Sequence, residues 1–309
     1  WLILPAKEEE WLDDIRVCVE HQYETYGLQN FTTGAYSAGR YPNQDVYYLL
    51  ICELAHRVWG DQKFADHVQL FLDFLEDTVY PMGAMAYHST QNECFTYHNL
   101  NICFLARFLQ YTGNKQARRI IEKTVEFYPI MVEPSGYVEN YTDSSWKHYP
   151  VTAHPQAPDI VAALTGDRQN KRAANIAVER GGAGSGELSI YAAEWWRDIP
   201  EEPLPDDYIT YDENVQAPRA RFAPFSFAMN GRDMGEGYIG KDTFIGCLFA
   251  PKDAEQDEVG SLMIATSEYR LRPEGIHWRN ARFVSGDEEF SQIIGGDEFA
   301  SLAVRYRLT

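Results

Sequence analysis

Apolar residues recur at helical spacing through the first two thirds of the chain, and the pattern repeats. Three short turns, Trp59-Gly60-Asp61, Thr112-Gly113-Asn114 and Thr165-Gly166-Asp167, place their glycines 53 residues apart from one turn to the next. A helix-period apolar stretch precedes each glycine and another follows it, as expected where a left-handed glycine ends one helix and Asp or Asn opens the next. Each unit therefore reads as a helical hairpin. In the first, Tyr47, Leu50, Ile51, Leu54 and Val58 form one stripe, and Phe64, Val68, Phe71, Leu75 and Val79 form its partner. The second runs over Tyr97–Tyr111 and Lys115–Tyr128. Its first helix is apolar nearly all round, which predicts an inner helix covered on both sides. The third is shorter, Ala157–Leu164 then Asp167–Glu179, and two more helices are predicted over Glu8–Tyr26 and Glu187–Arg197.

Repeats of this length stack so that each hairpin buries the face its neighbour would leave wet. The expected architecture is an open solenoid or an α/α toroid; since a complete six-hairpin ring needs more helices than these, the toroid would be a partial one. At Ile199 the texture changes. Pro200, Pro203 and Pro205 among Glu201, Glu202, Asp206 and Asp207 read as an exposed linker. Beyond it, short β-branched and aromatic runs at Tyr208–Tyr211, Arg221–Ala228, Thr243–Phe249, Ser261–Thr266 and Leu302–Tyr306 alternate with Gly- and Asp-rich turns. The expected organisation is a helical-hairpin domain over 1–198, a linker over 199–207 and an antiparallel β domain, a β-sandwich, over 208–309. Gly181 to Gly186 follows a helix and lacks a following Lys-Ser/Thr, so it reads as a connector and not as a phosphate loop.

Composition narrows the function. At 309 residues and 45% hydrophobic, the chain can bury about three quarters of its unfolded surface. No stretch approaches the roughly 20 consecutive apolar residues of a membrane span. The net charge of −19, from 46 acidic and 27 basic residues, argues against a nucleic-acid partner, which needs a clustered basic footprint. The five cysteines, Cys18, Cys52, Cys94, Cys103 and Cys247, form no Cys-x-x-Cys pair, and four lie in stretches that read as apolar helix or strand. They are expected to be buried free thiols. Cys52 with His56 and Cys94 with His98 are spaced for one helical turn, but without a partner cluster they predict no metal site. No cofactor is called for, and the sequence neither indicates nor excludes a structural metal in the β domain. The chain does not begin with Met, which fits a mature, trimmed or partial product, and any export signal would have been removed before this numbering begins.

The repeat converts sequence position into spatial position. Loops that precede the first helix of each hairpin should emerge on one rim, and three of them are rich in functional groups: Arg40 to Asp45 (with Tyr41, Asn43 and Gln44), His88 to Asn99, and Tyr141 through Trp146, Lys147, His148 and Tyr149 to His154. Asn43, Thr96 and Tyr149 fall at equivalent repeat positions, and four of the eight histidines lie between 88 and 154. Each residue taken singly has an ordinary reading as a helix cap or loop-packing group. Three aligned clusters on a concave rim make a site.

The segment Gly136-Tyr137-Val138-Glu139-Asn140-Tyr141, followed by Trp146 and Tyr149, resembles the Gly-x-x-Glu then Trp/Tyr-rich segment of heparinase II/III-like and alginate-lyase-like polysaccharide lyases. The resemblance covers about residues 40–155. Those enzymes join an α/α toroid to a β-sandwich and use an Asn-His pair on one helix with a Tyr about fifty residues later. Here the pair stands in the order His98-Asn99, with Tyr149 51 residues beyond His98. The resemblance implies β-elimination at a uronic acid in an acidic polysaccharide or oligosaccharide, by a secreted or periplasmic enzyme.

The chemistry so implied starts at a C5 proton, which becomes acidic when the adjacent carboxylate is neutralised. Asn99, Arg40 or Gln44 would hydrogen-bond that carboxylate and the enolate-like charge that follows. His98 and Tyr149 would share the base and acid roles, unassigned between them. His148 stands with them in the catalytic set and, with Lys147 and Arg40, supplies positive charge. Trp146, Tyr41 and Tyr141 offer stacking faces, and Asn43, His88 and His154 complete the binding rim. Glycoside hydrolysis is the alternative on the same scaffold, as in unsaturated glucuronyl hydrolases, with Asp45, Glu93, Glu139 and Asp143 as candidate carboxylates. A non-catalytic carbohydrate-binding protein would keep the aromatic platforms and need neither His98 nor Tyr149. No Gly-x-Ser-x-Gly elbow, His-Glu-x-x-His helix or Rossmann fingerprint occurs.

Overall fold

The fold is described from a computed structural model, over residues 8–28, 41–87, 89–132, 136, 138, 153–179, 186–214, 217–222 and the strand residues 225–228, 233–237, 240–249, 260–265, 269–271, 282–283, 288–295 and 300–306. Helix α1 (Glu8–Gln22) passes into a π-helical turn over Tyr23–Leu28. The three hairpins follow: α2 (Pro42–Trp59) with α3 (Gln62–Asp77), α4 (Phe95–Thr112) with α5 (Lys115–Glu122), and α7 (Gln156–Thr165) with α8 (Arg168–Glu179). The stretch expected to be helical through Tyr128 breaks after Glu122 and resumes as the short α6 (Phe127–Met131). Helix α9 (Gly186–Trp195) closes the helical part.

The repeat is written in the turns. Gly60, Gly113 and Gly166 have φ of 75°, 64° and 78°, and each donates its N–H to the carbonyl four residues back, His56, Leu109 and Ala162, at 2.7–2.8 Å. Only glycine takes that left-handed conformation without strain, so each glycine stops its helix and frees the next residue to open another. Asn114 Oδ1 accepts from the backbone N–H of Gln116 and Ala117, and Asp167 Oδ1 from that of Asn170 at 2.7 Å. Asp61 makes no such bond; its carboxylate takes Arg16 Nη2 at 2.7 Å and ties α1 to the first turn.

First helices pack on first helices. Tyr47 of α2 meets Phe104 of α4 with ring centroids 4.1 Å apart, and Arg57 Nη2 donates to the Tyr111 carbonyl near the other end. Helix α4 in turn meets α7, where Ala157 N–H donates to Asn99 Oδ1 at 3.0 Å. Second helices form an outer layer, joined by Gln116 to Asp73 and Glu76, by Lys123 to Glu76, and by Asn170 Nδ2 to the Val125 carbonyl. Enclosed by α2, α5, α7 and α9, helix α4 buries residues around its whole circumference, from Phe95 to Leu109, as its all-round apolar pattern predicts.

The stripe expected on α2 is rotated. Val46, Tyr48, Leu49, Leu50, Cys52 and Ala55 are buried, whereas Tyr47, Leu54 and Val58 are exposed. Residues 46–52 of this helix are apolar without a break, so periodicity alone does not fix which arc meets α3 and α4. Helix α3 buries Phe64, Val68, Phe71 and Leu75 as expected. Cys52, Cys94 and Cys103 are buried free thiols, but Cys18 is exposed on α1.

Strands β1 (Ala86–Tyr87) and β2 (Ser89–Glu93) form an antiparallel hairpin that delivers the chain into α4; periodicity gave no hint of so short a pair. After the expected linker, β3 (Asp207–Asp212), β4 (Ala217–Phe222) and β5 (Phe225–Ala228) make a three-stranded antiparallel sheet. The run expected as one strand over 221–228 is thus a tight hairpin, with Phe222 opposite Phe225. Strands β6 (Asp233–Gly237), β7 (Gly240–Phe249), β8 (Gly260–Ala265), β9 (Tyr269–Leu271) and β10 (Arg282–Phe283) pair antiparallel in sequential order, and β11 (Glu288–Gly295) pairs with β12 (Ala300–Tyr306).

Candidate functional site

The N-terminal ends of α2 and α4, and the segment that enters α7, lie together at one end of the helical stack. An aromatic row marks this rim: Tyr41 meets Tyr87 edge-on at 5.9 Å, Tyr87 stacks on Tyr97 at 4.6 Å, and Phe95 stacks on His154 at 6.3 Å. Because first helices run in the same direction, their amide-rich ends point the same way and present partial positive charge to anything bound there. Asn43 Oδ1, Thr96 Oγ1 and His154 Nδ1 are buried at this rim with no hydrogen-bond partner among the described residues. Asn43 and Thr96 stand at equivalent positions of the repeat. Burial holds the His154 imidazole below its usual pKa, which favours the neutral ring. Gln44 is half-buried beside Asn43.

Behind the rim, His98 is 1% exposed and both of its ring nitrogens are engaged. Nε2 lies 2.9 Å from the Gly83 carbonyl, which can only accept, so Nε2 carries the proton. Nδ1, 2.7 Å from Tyr128 Oη, is then the acceptor and the tyrosine hydroxyl donates. The ring stacks on Phe127 at 4.1 Å. Burial pushes the imidazole pKa down to about 3, against a smaller upward pull from the Gly83 carbonyl. His98 is a neutral strut that ties the turn at Gly83 and helix α6 to α4. Taking a proton from a substrate would require breaking the bond from Tyr128.

Asn99 is also buried, its Oδ1 holding the first turn of α7 through Ala157. Of the candidate carboxylates, Asp45 is buried and accepts from Tyr26 Oη at 2.7 Å. Glu93 is buried in an ion pair with Arg219 of β4, and Asp212 of β3 approaches the same guanidinium at 3.9 Å. Arg40, His88, Glu139, Tyr141, Asp143, Trp146, Lys147, His148 and Tyr149 lie outside the described residues.

Sequence reasoning missed three contributors: Tyr128, Gly83 and Arg219. Arg219 left a trace. Arg219 and Arg221 alternate along β4 on one face of the strand, and both are buried. Arg221 donates to the carbonyls of Ile130 and Val132 at the end of α6 and to that of Pro205. Among the described residues no group of three or more His, Cys, Asp or Glu is placed to hold a metal ion, and no helix is long and apolar enough to cross a membrane. Comparison with protein-family models, curated proteins and solved structures gave no match to this chain.

Proposed function

We propose that the chain cleaves a uronate-containing polysaccharide or oligosaccharide by β-elimination, with the rim at the N-terminal ends of α2, α4 and α7 as its substrate-facing end. In this reading the stacked hairpins are part of an α/α toroid and the C-terminal strands a β-sandwich. One observation carries it. Parallel helix N-termini stand side by side with buried, unpartnered polar atoms on Asn43, Thr96 and His154, a combination suited to a carboxylate with hydroxyl groups around it.

The roles follow from what each residue has left to offer. Helix N-termini, Gln44 and Arg40 would neutralise the uronate carboxylate and so acidify the neighbouring C5 proton. Asn99, committed to Ala157, acts as a positioning residue for α7. With His98 locked between Gly83 and Tyr128, proton removal falls to Tyr149, which shares its repeat position with Asn43 and Thr96. Tyr149 or His148 would return a proton to the departing glycosidic oxygen. Tyr41, Tyr141 and Trp146 would stack on sugar rings, His88 and Lys147 completing the polar wall. The net charge of −19 opposes a polyanion at long range but is screened beyond about 8 Å at physiological ionic strength. A polymeric acidic substrate fits a secreted or periplasmic protein.

The test is ultraviolet absorbance with time on a panel of uronate-containing polysaccharides and oligosaccharides. Elimination creates a conjugated unsaturated uronate that absorbs, and hydrolysis does not. A rising signal that is lost in Tyr149→Phe is the expected result. New reducing ends without absorbance would replace elimination by hydrolysis at Asp45, Glu139 or Asp143. Neither product would leave a carbohydrate-binding role in its place.

A further inference from the structure

Next to the α7 end of the rim, and lined by none of its aromatic row, an open cleft of about 290 Å³ lies between α7, α8 and α9. One wall is apolar: Pro155, Ala174, Val178, Ala192 and the indole of Trp196, which is 56% exposed. The other wall carries Gln156, Asp159, Lys171 and Ser189. Gln156 is 3% exposed; its Nε2 donates to Ser189 Oγ at 3.0 Å, and its Oε1 is buried with no partner among the described residues. Turned the other way, the amide would accept from Ser189 and leave its N–H₂ unpartnered, so one half of a buried amide is unused in either orientation. A buried polar group without a partner is costly, and at the wall of a cleft a ligand can supply one.

Charge narrows the ligand. Lys171 Nζ and Asp159 Oδ1 are 2.6 Å apart with both side chains largely buried, so the two charges cancel within the site. An anion would have to compete with Asp159 for the ammonium. A cation would meet that ammonium already standing 5.6 Å over the Trp196 ring. What fits is a neutral molecule with hydroxyl groups along one edge and an apolar face for the indole. The volume, near the lower end of the roughly 300–1,000 Å³ usual for small-molecule pockets, suits a single ring.

We infer that the α7–α8–α9 cleft binds one neutral pyranose ring, stacked by its C–H face on Trp196 and hydrogen-bonded to Gln156, Asp159 and Lys171. The site neither uses nor requires elimination at the rim, and its test reads binding alone. Saturation-transfer NMR on the whole chain, with the methyl β-glycosides of glucose, galactose and mannose as probes and methyl β-glucuronide as the anionic comparator, decides it. At least one neutral glycoside should receive transfer, strongest on its axial C–H protons, and should bind more tightly than the glucuronide. Trp196→Ala should weaken that binding about tenfold. Trp196 and Ser189 are exposed, so Trp196→Ala and Ser189→Ala leave the core intact, and Ser189→Ala, which frees Gln156 to turn, should change affinity as well. No transfer to any neutral glycoside, equal binding of the glucuronide, or binding unchanged in Trp196→Ala would overturn the inference whatever the rim does.

Discussion

The Tyr128 hydroxyl donates to Nδ1 of His98 across 2.7 Å inside the helical core, 30 residues apart in the chain. This bond, with Nε2–H donating to Gly83, fixes the tautomer and keeps the ring neutral. The folded-state pKa near 3 lies below the ordinary imidazole value of 6.5, so the unfolded chain binds the proton first as pH falls. The stabilisation is therefore complete above about pH 6.5 and is lost progressively toward pH 3. Imidazole nitrogen NMR at pH 5 should show His98 neutral and protonated at Nε2; a charged ring at that pH would sink the assignment. His98→Phe orphans two buried groups, each at about 1–3 kcal/mol, and should flatten the pH dependence of stability between 6.5 and 4 relative to the parent.

Gly83 is held by more than its carbonyl. Its φ is 84°, and a Cβ placed there would stand 3.0 Å from Thr124 Cα and 3.2 Å from the Lys123 carbonyl oxygen, both backbone atoms that cannot swing aside. At Gly60, φ is 75° but no atom lies within 4 Å of the added carbon. Gly60→Ala should therefore cost only the left-handed strain, about 1–2 kcal/mol, and Gly83→Ala clearly more. Urea unfolding of both variants at unchanged m-value gives the comparison; equal losses would mean that the turn at Gly83 yields.

The hairpins were legible in the sequence because glycine spacing and helical periodicity are local properties, and the left-handed glycines bear both out. The helix faces were less so. On α2 the unbroken apolar run over 46–52 leaves the packed arc open, and Tyr47 and Leu54 are exposed where periodicity assigned them to the packed stripe. At the site, the matching places of Asn43 and Thr96 at the starts of α2 and α4 follow from the repeat register. The burial of His98 does not, because its partners Gly83 and Tyr128 sit 15 and 30 residues away and neither belongs to a recognisable motif. Arg219 lies 126 residues from Glu93, a separation at which only its odd placement on a buried strand face gave notice.

That distant pair makes a prediction of its own. Glu93 and Arg219 are both almost fully buried, and their ion pair joins the entry to α4 with the β3–β5 sheet. Two charges out of water contribute little net stability, but removing one strands the other. Arg219→Met strands both Glu93 and the buried Asp212 and should cost about 3–5 kcal/mol, Glu93→Gln should cost less because Asp212 still faces the guanidinium, and the double variant should cost less than the sum of the two. A double-mutant cycle by chemical unfolding measures this; additive single losses would mean that the two side chains do not meet.

The three inter-helix turns separate capping from ion pairing. Asn114 caps α5 through two backbone N–H groups, so Asn114→Ala should cost about 1 kcal/mol, and that loss should persist at high salt. Asp61 stands at the same place in the repeat, caps nothing through its side chain and instead pairs with Arg16 on α1, both partly exposed. Asp61→Ala should cost at most about 1 kcal/mol, and most of that should vanish at 1 M salt, where the screening length falls to about 3 Å. Thermal unfolding of both variants at low and high salt tests the difference. A salt-independent loss at Asp61 would mean that its carboxylate caps α3 after all, and a salt-sensitive loss at Asn114 would remove the capping explanation for that turn.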